Sequence, residues 1–186
     1  MTNPEQPINE QTNGPAHETA SGTDRHFQVD FLYLDLTICN RCQEAETNLE
    51  EALAEVEETL KVAGIQVTVN RVNVNTEALA RQHRFVSSPT IRINGSDIQQ
   101  LVQESQCHCC GDLCGDEVDC RVWLYRGQIY EAPPRAMIME ALLKEVYGGN
   151  ACCGTPAKAV AGKPYELPEN LKRFYDAMAK QPSLER

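Results

Sequence analysis

The chain has 186 residues, of which 41% are hydrophobic, so it is long enough for one domain with a buried core and additional segments. Its formal net charge of -10 argues against nucleic acid or an anionic membrane surface as a partner, because both are polyanions. The first residues lack the basic segment and the apolar segment of a secretory signal peptide. No apolar run approaches the roughly 20 residues of a membrane span. These features predict a cytoplasmic protein.

The sequence divides into three parts by composition. Residues 1–26 are polar and lack helical or strand periodicity, which predicts a disordered N-terminal tail. Residues 27–148 alternate strand and helix patterns and predict one domain, with a cysteine-rich insertion at 103–120. Residues 149–186 predict a C-terminal tail that contains a vicinal cysteine pair and an amphipathic helix.

The first half of the domain alternates strands and helices. Residues 27–36 read as a strand that is buried on at least one face. From Gln43 onward, apolar residues recur at spacings of three and four opposite a glutamate-rich face, which predicts an amphipathic helix that ends at Gly64. Residues 65–74 alternate around valines and predict a second strand, followed by a short helix.

The second half continues this alternation. A strand begins after a proline and turns at Asn94-Gly95, and residues 120–134 predict a strand pair that turns at Arg126-Gly127. Residues 135–149 predict the last helix of the domain. Beyond it, Pro168 begins a helix whose apolar residues fall at three- and four-residue steps, and we expect this helix to dock onto the domain.

Nine cysteines are an unusual number for a reducing compartment, where cysteines more often act in catalysis or bind metal ions. Cys39 and Cys42 form a C-x-x-C motif at the first strand-to-helix junction, which alone suits a redox pair, a metal clip or two incidental thiols. A helix N-terminus stabilises the Cys39 thiolate, and Arg41 is placed to lower its pKa further. Cys39 is then the expected nucleophile, and Cys42 the thiol that resolves a mixed disulfide.

The order β-α-β-α-β-β-α, with C-x-x-C at the first junction and Ser88-Pro89 before the third strand, resembles the thioredoxin-like superfamily over about residues 28–147. The resemblance implies a three-layer α/β/α sandwich, here with a cysteine-rich loop insertion and a C-terminal helical tail. It also implies that Pro89 lies beside the cysteines and shapes a substrate groove. Asn40-Arg41 replaces the Gly-Pro of thioredoxin, which puts a general reductase activity in doubt.

A narrower similarity covers the same region. The C-x-x-C motif followed by SPTIRING, a cysteine-rich loop and VDCRVWLYRGQIY is similar to an uncharacterised prokaryotic family, domain of unknown function 2703. This similarity implies a fold and no settled activity. Asp35 and Asp97 are candidate proton-transfer groups, although surface or turn positions are the simpler interpretation.

The insertion concentrates potential metal ligands in 14 residues: Cys107, His108, Cys109, Cys110, Cys114 and Cys120. A tetrahedral thiolate site for zinc or a softer ion, made by four of these groups, is one explanation. A disulfide relay in which the loop thiols accept oxidation from Cys42 is another. The spacings C-x-C, C-x3-C and C-x5-C differ from the paired C-x-x-C of a zinc ribbon, and His108 alone reads as a surface residue.

Cys152 and Cys153 are adjacent in a Gly- and Pro-rich segment. Adjacent cysteines form only a small, strained disulfide ring, whereas two neighbouring thiolates can chelate a soft ion and pass it on by ligand exchange. The pair resembles the vicinal cysteine tail of mercuric reductases. A tail without such a function is the alternative.

Two functions therefore lead. The first is a thioredoxin-like thiol-disulfide oxidoreductase that acts on a protein or small-molecule disulfide through Cys39, Cys42 and Pro89. The second is a thiolate protein for metal handling or resistance, which binds zinc, mercury, copper(I) or arsenite through the cysteines of the loop and tail, since seven of nine cysteines lie outside the C-x-x-C motif. A third is an interaction scaffold without cysteine chemistry. Neither nucleic acid nor a membrane is an expected partner, and the sequence predicts no oligomeric state.

Overall fold

The protein is described here from a computed structural model, which covers residues 25–114, 118–148 and 164–180, without the side chains of 112–114. The predicted tail lies outside these residues except for Arg25 and His26, which already belong to the first strand. Within the described part of the chain, no helix is both long and apolar enough to cross a membrane.

Twelve elements make up the described part of the chain. The strands are β1 (Arg25–Tyr33), β2 (Ile65–Asn73), β3 (Thr90–Ile93), β4 (Ser96–Asp97), β5 (Gln103–Gln106), β6 (Asp119–Tyr125) and β7 (Gln128–Tyr130). The helices are α1 (Asn40–Val62), α2 (Glu77–Gln82), α3 (His108–Cys114), α4 (Arg135–Tyr147) and α5 (Glu169–Lys180).

The strands form a four-stranded sheet and a smaller three-stranded sheet. The larger sheet has the order β2-β1-β3-β4, in which β1 runs parallel to β2 and antiparallel to β3. Val29 pairs with Val69 of β2 on one side and with Ile93 of β3 on the other, so β1 is an inner strand of this sheet. The smaller sheet has the order β5-β6-β7, and the Arg121 N–H of β6 donates to the Ser88 carbonyl at 2.7 Å. This bond ties the second sheet to the residue before Pro89.

Helices cover the larger sheet from both sides, which confirms the predicted α/β sandwich. Alternate residues of β1 pack under α1 and α4 in one core, and Leu32 packs into a second core with α2 and α5. Each fully buried Leu or Phe in these cores contributes roughly 1.5–3 kcal/mol. The face of α1 that periodicity predicts to be apolar is the buried one: Ala45, Leu49, Ala52, Val56 and Leu60.

Helix α1 begins at Asn40, so the C-x-x-C motif occupies its N-terminus. Cys39 is the N-cap residue, and its carbonyl accepts a hydrogen bond from the Gln43 N–H at 3.0 Å. The helix ends before Gly64, whose φ of 67° is favourable only for glycine and whose N–H donates to the Lys61 carbonyl. The predicted termination at Gly64 is therefore confirmed.

The insertion contains regular structure that its composition does not predict. Strand β5 pairs with β6, placing Ser105 opposite Cys120, and helix α3 follows β5 directly. Helix α5 docks on this region as predicted, with Leu171 and Phe174 buried. The Asn170 side chain accepts from the Asp119 N–H at 3.0 Å and donates to the Asp119 carbonyl at 2.6 Å. The C-terminal helix therefore holds the first residue of β6.

Candidate functional site

Four cysteines from distant parts of the sequence form one buried cluster: Cys39, Cys107, Cys110 and Cys120. All of their sulfur atoms lie within 4.8 Å of one another, and the Cys110 and Cys120 Sγ atoms are 3.4 Å apart. No disulfide joins the six cysteines whose side chains are described. The cluster is therefore a compact set of four thiols.

Cys39 is placed by the turn that precedes α1. The Asp35 carboxylate accepts hydrogen bonds from the Thr37 N–H and hydroxyl, both at 2.6 Å, and from the Ile38 N–H at 3.2 Å. Asp35 is buried and fixes the backbone just before Cys39. The structure thus places Asp35 in a turn, which is the simpler of its two predicted interpretations.

The other three cysteines are placed by the insertion and by β6. The Cys107 N–H donates to the Val118 carbonyl at 2.8 Å, which closes the loop, and the Cys107 carbonyl accepts from the Gly111 N–H at 3.0 Å as α3 begins. Cys110 lies one turn later in α3, and Cys120 lies in β6. This arrangement directs three thiols of the insertion toward the N-terminus of α1.

Arg41 connects the two parts of the site. Arg41 is buried, and its guanidinium donates to three carbonyls of the insertion and β6, those of Ser105, Gln106 and Cys120, at 3.0–3.3 Å. It also donates to the Ser105 hydroxyl at 3.0 Å and to Glu131 at 2.7 Å. Arg41 therefore holds the segment that carries the cluster cysteines against the C-x-x-C helix.

Hydrogen bonds among the thiols shift the pKa values of the four cluster cysteines in opposite directions. The pKa of Cys39 lies far below its ordinary value because Cys107 first, and then Cys110 and Cys120, donate to its sulfur. The pKa of Cys107 is lowered to about 7, chiefly by Cys110. The pKa values of Cys110 and Cys120 are raised, first by the bond each makes to Cys107. The thiolate charge thus concentrates on Cys39 and Cys107, and neighbouring thiols rather than Arg41 make the largest contributions.

Cys42 lies next to the cluster without belonging to it. Its Sγ is 3.3 Å from the Ser88 Oγ, which also accepts from the Leu34 N–H at 3.1 Å. The pKa of the Cys42 thiol is raised, first by its hydrogen bond to Cys39 and then by burial. Pro89 is buried beside Ser88, and the bond between them is cis. Cys42 therefore contacts the residue that precedes Pro89.

The four thiols fit the ligand set of one tetrahedral metal ion. In a zinc site with Zn–S bonds of about 2.3 Å, the sulfur atoms lie about 3.8 Å apart. The cluster, with one pair at 3.4 Å and all pairs within 4.8 Å, is close to this spacing. Thiolates select zinc and softer ions over magnesium or calcium. Four cysteines of the described chain can thus hold a metal ion. This agrees with the hypothesis of a thiolate metal site, although the sequence predicted a different set of ligands.

The structure groups the predicted site residues differently from the sequence. Cys39, predicted as a nucleophile, joins Cys107, Cys110 and Cys120 from the predicted metal set. Cys109 is partly exposed and lies outside the cluster. The remaining predicted ligands are outside the described side chains: Cys114, Cys152 and Cys153. A signal for the cluster does exist in the sequence, because Cys107 and Cys110 form a second C-x-x-C motif at a helix start.

Arg121 is a buried charge that sequence reasoning missed. It is fully buried and forms a bidentate pair with Asp97, with both distances at 2.8 Å, while its guanidinium lies 4.3 Å from the centre of the Trp123 ring. It also donates to the Thr90 hydroxyl at 3.0 Å. Asp97 therefore acts as the partner of a buried arginine, and it lies in strand β4 rather than in a turn.

Comparison with protein families gives one result. The family model described as a domain of unknown function (DUF2703) matches residues 27–142. The chain belongs to this family. The matched range contains the C-x-x-C motif and all four cluster cysteines, and it ends before Cys152, Cys153 and α5. Searches of the curated proteins and of the solved structures give no match.

Proposed function

We propose that the protein binds one thiophilic metal ion, with zinc as the expected ion, through four thiolates: Cys39, Cys107, Cys110 and Cys120. The observation that carries the proposal is the approach of four buried sulfur atoms to within 4.8 Å of one another. They come from α1, the insertion and β6, so an ion bound to them would cross-link the insertion to the α/β core.

The burial of the cluster supports a metal ion in two ways. Thiolate charge is costly to bury without a compensating cation, and Cys39, Cys110 and Cys120 are each 0% exposed. Four protein ligands also leave no open coordination position for water, which is the arrangement of a structural zinc site rather than a hydrolytic one. The proposed function is therefore metal retention and stabilisation of this domain.

Zinc is expected because it takes four ligands in tetrahedral geometry and accepts a complete thiolate set. Mercury, copper(I) and arsenite are the competing soft ions. Anaerobic purification followed by native mass spectrometry, with and without a strong chelator, tests the assignment. We expect one zinc per chain, removed by the chelator and restored by zinc salt.

Serine variants locate the site. Cys107→Ser and Cys120→Ser should each weaken zinc binding strongly, because each removes one of four ligands. Cys109→Ser is the matched control, since Cys109 lies in the same segment but outside the cluster. Equal zinc affinity in the control and the cluster variants, or a reduced wild-type protein that takes up no zinc, would overturn the proposal.

Thiol-disulfide exchange by a thioredoxin-like domain is the second candidate. It is supported by the position of Cys39 and Cys42 at the start of one helix, by the contact of Cys42 with Ser88, the residue before Pro89, and by the strand order β2-β1-β3-β4. The two cysteines are each 0% exposed, so a protein disulfide reaches them only after the insertion moves away. Reduction of a disulfide substrate that is lost in Cys39→Ser and retained in Cys109→Ser would favour this candidate.

A further inference from the structure

Cys39 belongs to two groups of thiols at once. It is one of the four cluster sulfurs, and it also lies three residues before Cys42, which packs in the same buried core but is outside the cluster. Among the cysteines whose side chains are described, only Cys42 and Cys109 are not cluster members. Cys42 therefore remains a thiol when a metal ion occupies the cluster, and it lies in the helical turn that begins at one ligand of that ion.

We infer that Cys42 makes metal binding reversible by oxidation: a disulfide between Cys39 and Cys42 removes one of the four ligands, and the ion leaves. This inference depends on the proposed metal site and adds a function for the thiol that the site does not use. Cys42 thus promotes release of the metal ion and is not one of its ligands.

The local geometry suits this disulfide. Cys39 is the N-cap of α1 and Cys42 lies in its first turn, and side chains three residues apart on a helix have Cβ atoms about 5–6 Å apart. A disulfide needs Cβ atoms about 3.5–4.5 Å apart, so only a small adjustment in the first turn of α1 is required. Cys42 must also give up its contact with the Ser88 hydroxyl, a weak bond to sulfur.

Other disulfides are geometrically conceivable within the cluster. Cys107 and Cys110 form a C-x-x-C pair, and the Cys110 and Cys120 sulfurs are 3.4 Å apart. In the metal-bound state, however, both members of each pair would be ligands of the ion. The resolving step needs a thiol that can attack an oxidised sulfur, and of the buried cysteines in the described chain, only Cys42 lies outside the ligand set.

The reaction balances with hydrogen peroxide as the oxidant. The Cys39 thiolate attacks one peroxide oxygen, an S–O bond forms, the O–O bond breaks, and the departing hydroxide takes a proton to give water. Cys42 then loses its proton and attacks the Cys39 sulfur, so that the S–S bond forms and the S–O bond breaks with release of a second water. The two sulfurs lose two electrons, which the two peroxide oxygens gain.

The burial of these thiols limits the size of the oxidants that can reach them. Cys39 and Cys42 are each 0% exposed, and Cys107 is only 3% exposed. Hydrogen peroxide is comparable to water in size, whereas a disulfide-bonded peptide must bring a sulfur atom into direct contact with Cys39. We therefore expect peroxide to release the ion much faster than glutathione disulfide does.

The test follows zinc release from the zinc-loaded, full-length protein with a colorimetric zinc indicator after addition of hydrogen peroxide. Wild type should release one zinc per chain, and peptide mapping should find the bond between Cys39 and Cys42. Cys42→Ser should bind zinc as wild type does but release it at least about tenfold more slowly, since the resolving thiol is missing. Cys109→Ser should behave as wild type.

Three outcomes would overturn the inference: release at the wild-type rate from Cys42→Ser, a mapped disulfide between Cys107 and Cys110, or loss of zinc affinity in Cys42→Ser before any oxidant is added. Each of these leaves the metal site itself intact in the wild-type protein. Failure of the reduced wild-type protein to bind zinc is a separate result, which contradicts the proposed function directly.

Discussion

The Arg41 guanidinium donates to the Cys120 carbonyl at 3.3 Å, across 79 positions of the sequence. One residue lies inside the C-x-x-C motif, and the other supplies a sulfur to the cluster. Arg41 contacts the backbone of Cys120 and not its sulfur, so it can orient this cysteine without belonging to the cluster. Groups in this position commonly contribute to metal affinity through the ligands they orient.

Substitution of Arg41 should weaken metal binding without removing a ligand. Arg41→Ala is expected to reduce zinc affinity by about 10- to 100-fold, the usual effect of losing a group that orients metal ligands. Arg41→Lys should recover only part of this affinity, because an ammonium group cannot reproduce the planar fork that reaches three carbonyls. Competition with a chelator of known affinity measures both effects.

Arg71→Ala is the matched control for Arg41. Arg71 forms ion pairs with two carboxylates of α1, Glu46 and Glu50, but its side chain is partly exposed and these pairs do not involve the insertion. Surface pairs of this kind contribute about 0–1 kcal/mol. Equal loss of zinc affinity in the Arg71 and Arg41 variants would show that the contacts of Arg41 with the insertion have no special role.

Ser88 and Ser87 form a natural comparison for stability. The Ser88 hydroxyl accepts from the buried Leu34 N–H, so Ser88→Ala should destabilise the metal-free protein by about 1–3 kcal/mol. The Ser87 hydroxyl is buried and has no hydrogen-bond partner within the described residues, so Ser87→Ala should be nearly neutral or stabilising. Urea denaturation under reducing conditions measures the difference, and a larger loss in the Ser87 variant would contradict the assigned bonds.

Proton release should accompany zinc binding and should increase as the pH falls. At neutral pH the raised pKa values of Cys110 and Cys120 keep those thiols protonated, so binding must displace about two protons. Below the Cys107 pKa of about 7, a further proton has to leave, and zinc affinity should fall more steeply with acidification. Titration calorimetry in buffers of different ionisation enthalpy counts these protons. A proton count that does not change between pH 6 and pH 8 would contradict the assigned pKa for Cys107.

Asn170 should control the docking of α5. Asn170→Ala removes the two hydrogen bonds to the backbone of Asp119, which is expected to cost about 1–3 kcal/mol and to increase amide exchange in α5 and at the start of β6. Lys172→Ala is the control, since that side chain forms an exposed pair with Glu169 and, within the described residues, no ion pair with the insertion or β6. Hydrogen exchange by mass spectrometry compares the variants, and identical exchange in the two would refute this role of Asn170.

The local pattern of the sequence predicts the local structure well. The buried face of α1 and the termination at Gly64 follow from periodicity and from backbone preference, which depend on near neighbours. Docking of α5 follows from its apolar stripe. These features require no knowledge of which distant segments meet.

The composition of the site could not be predicted in the same way. Spacing suggested separate roles for Cys39 and Cys107, which are far apart in sequence, and only the tertiary structure brings their sulfurs together. The motif predicts that Arg41 acts on a thiolate, but its guanidinium binds backbone carbonyls of β5 and β6 instead. Helix α3 and strand β5 were missed because buried thiols and backbone pairing, rather than an apolar pattern, stabilise them.

Helix α5 begins 27 positions after the last residue matched by the family model, yet Asn170 binds the neighbour of Cys120. A fragment cut at residue 142 would retain every cluster sulfur and lose the support beside one of them. Leu171 and Phe174 would also leave the second core and expose its apolar surface to water. The unit defined by sequence similarity is therefore smaller than the unit that folds, and metal affinities measured on such a fragment would underestimate those of the whole chain.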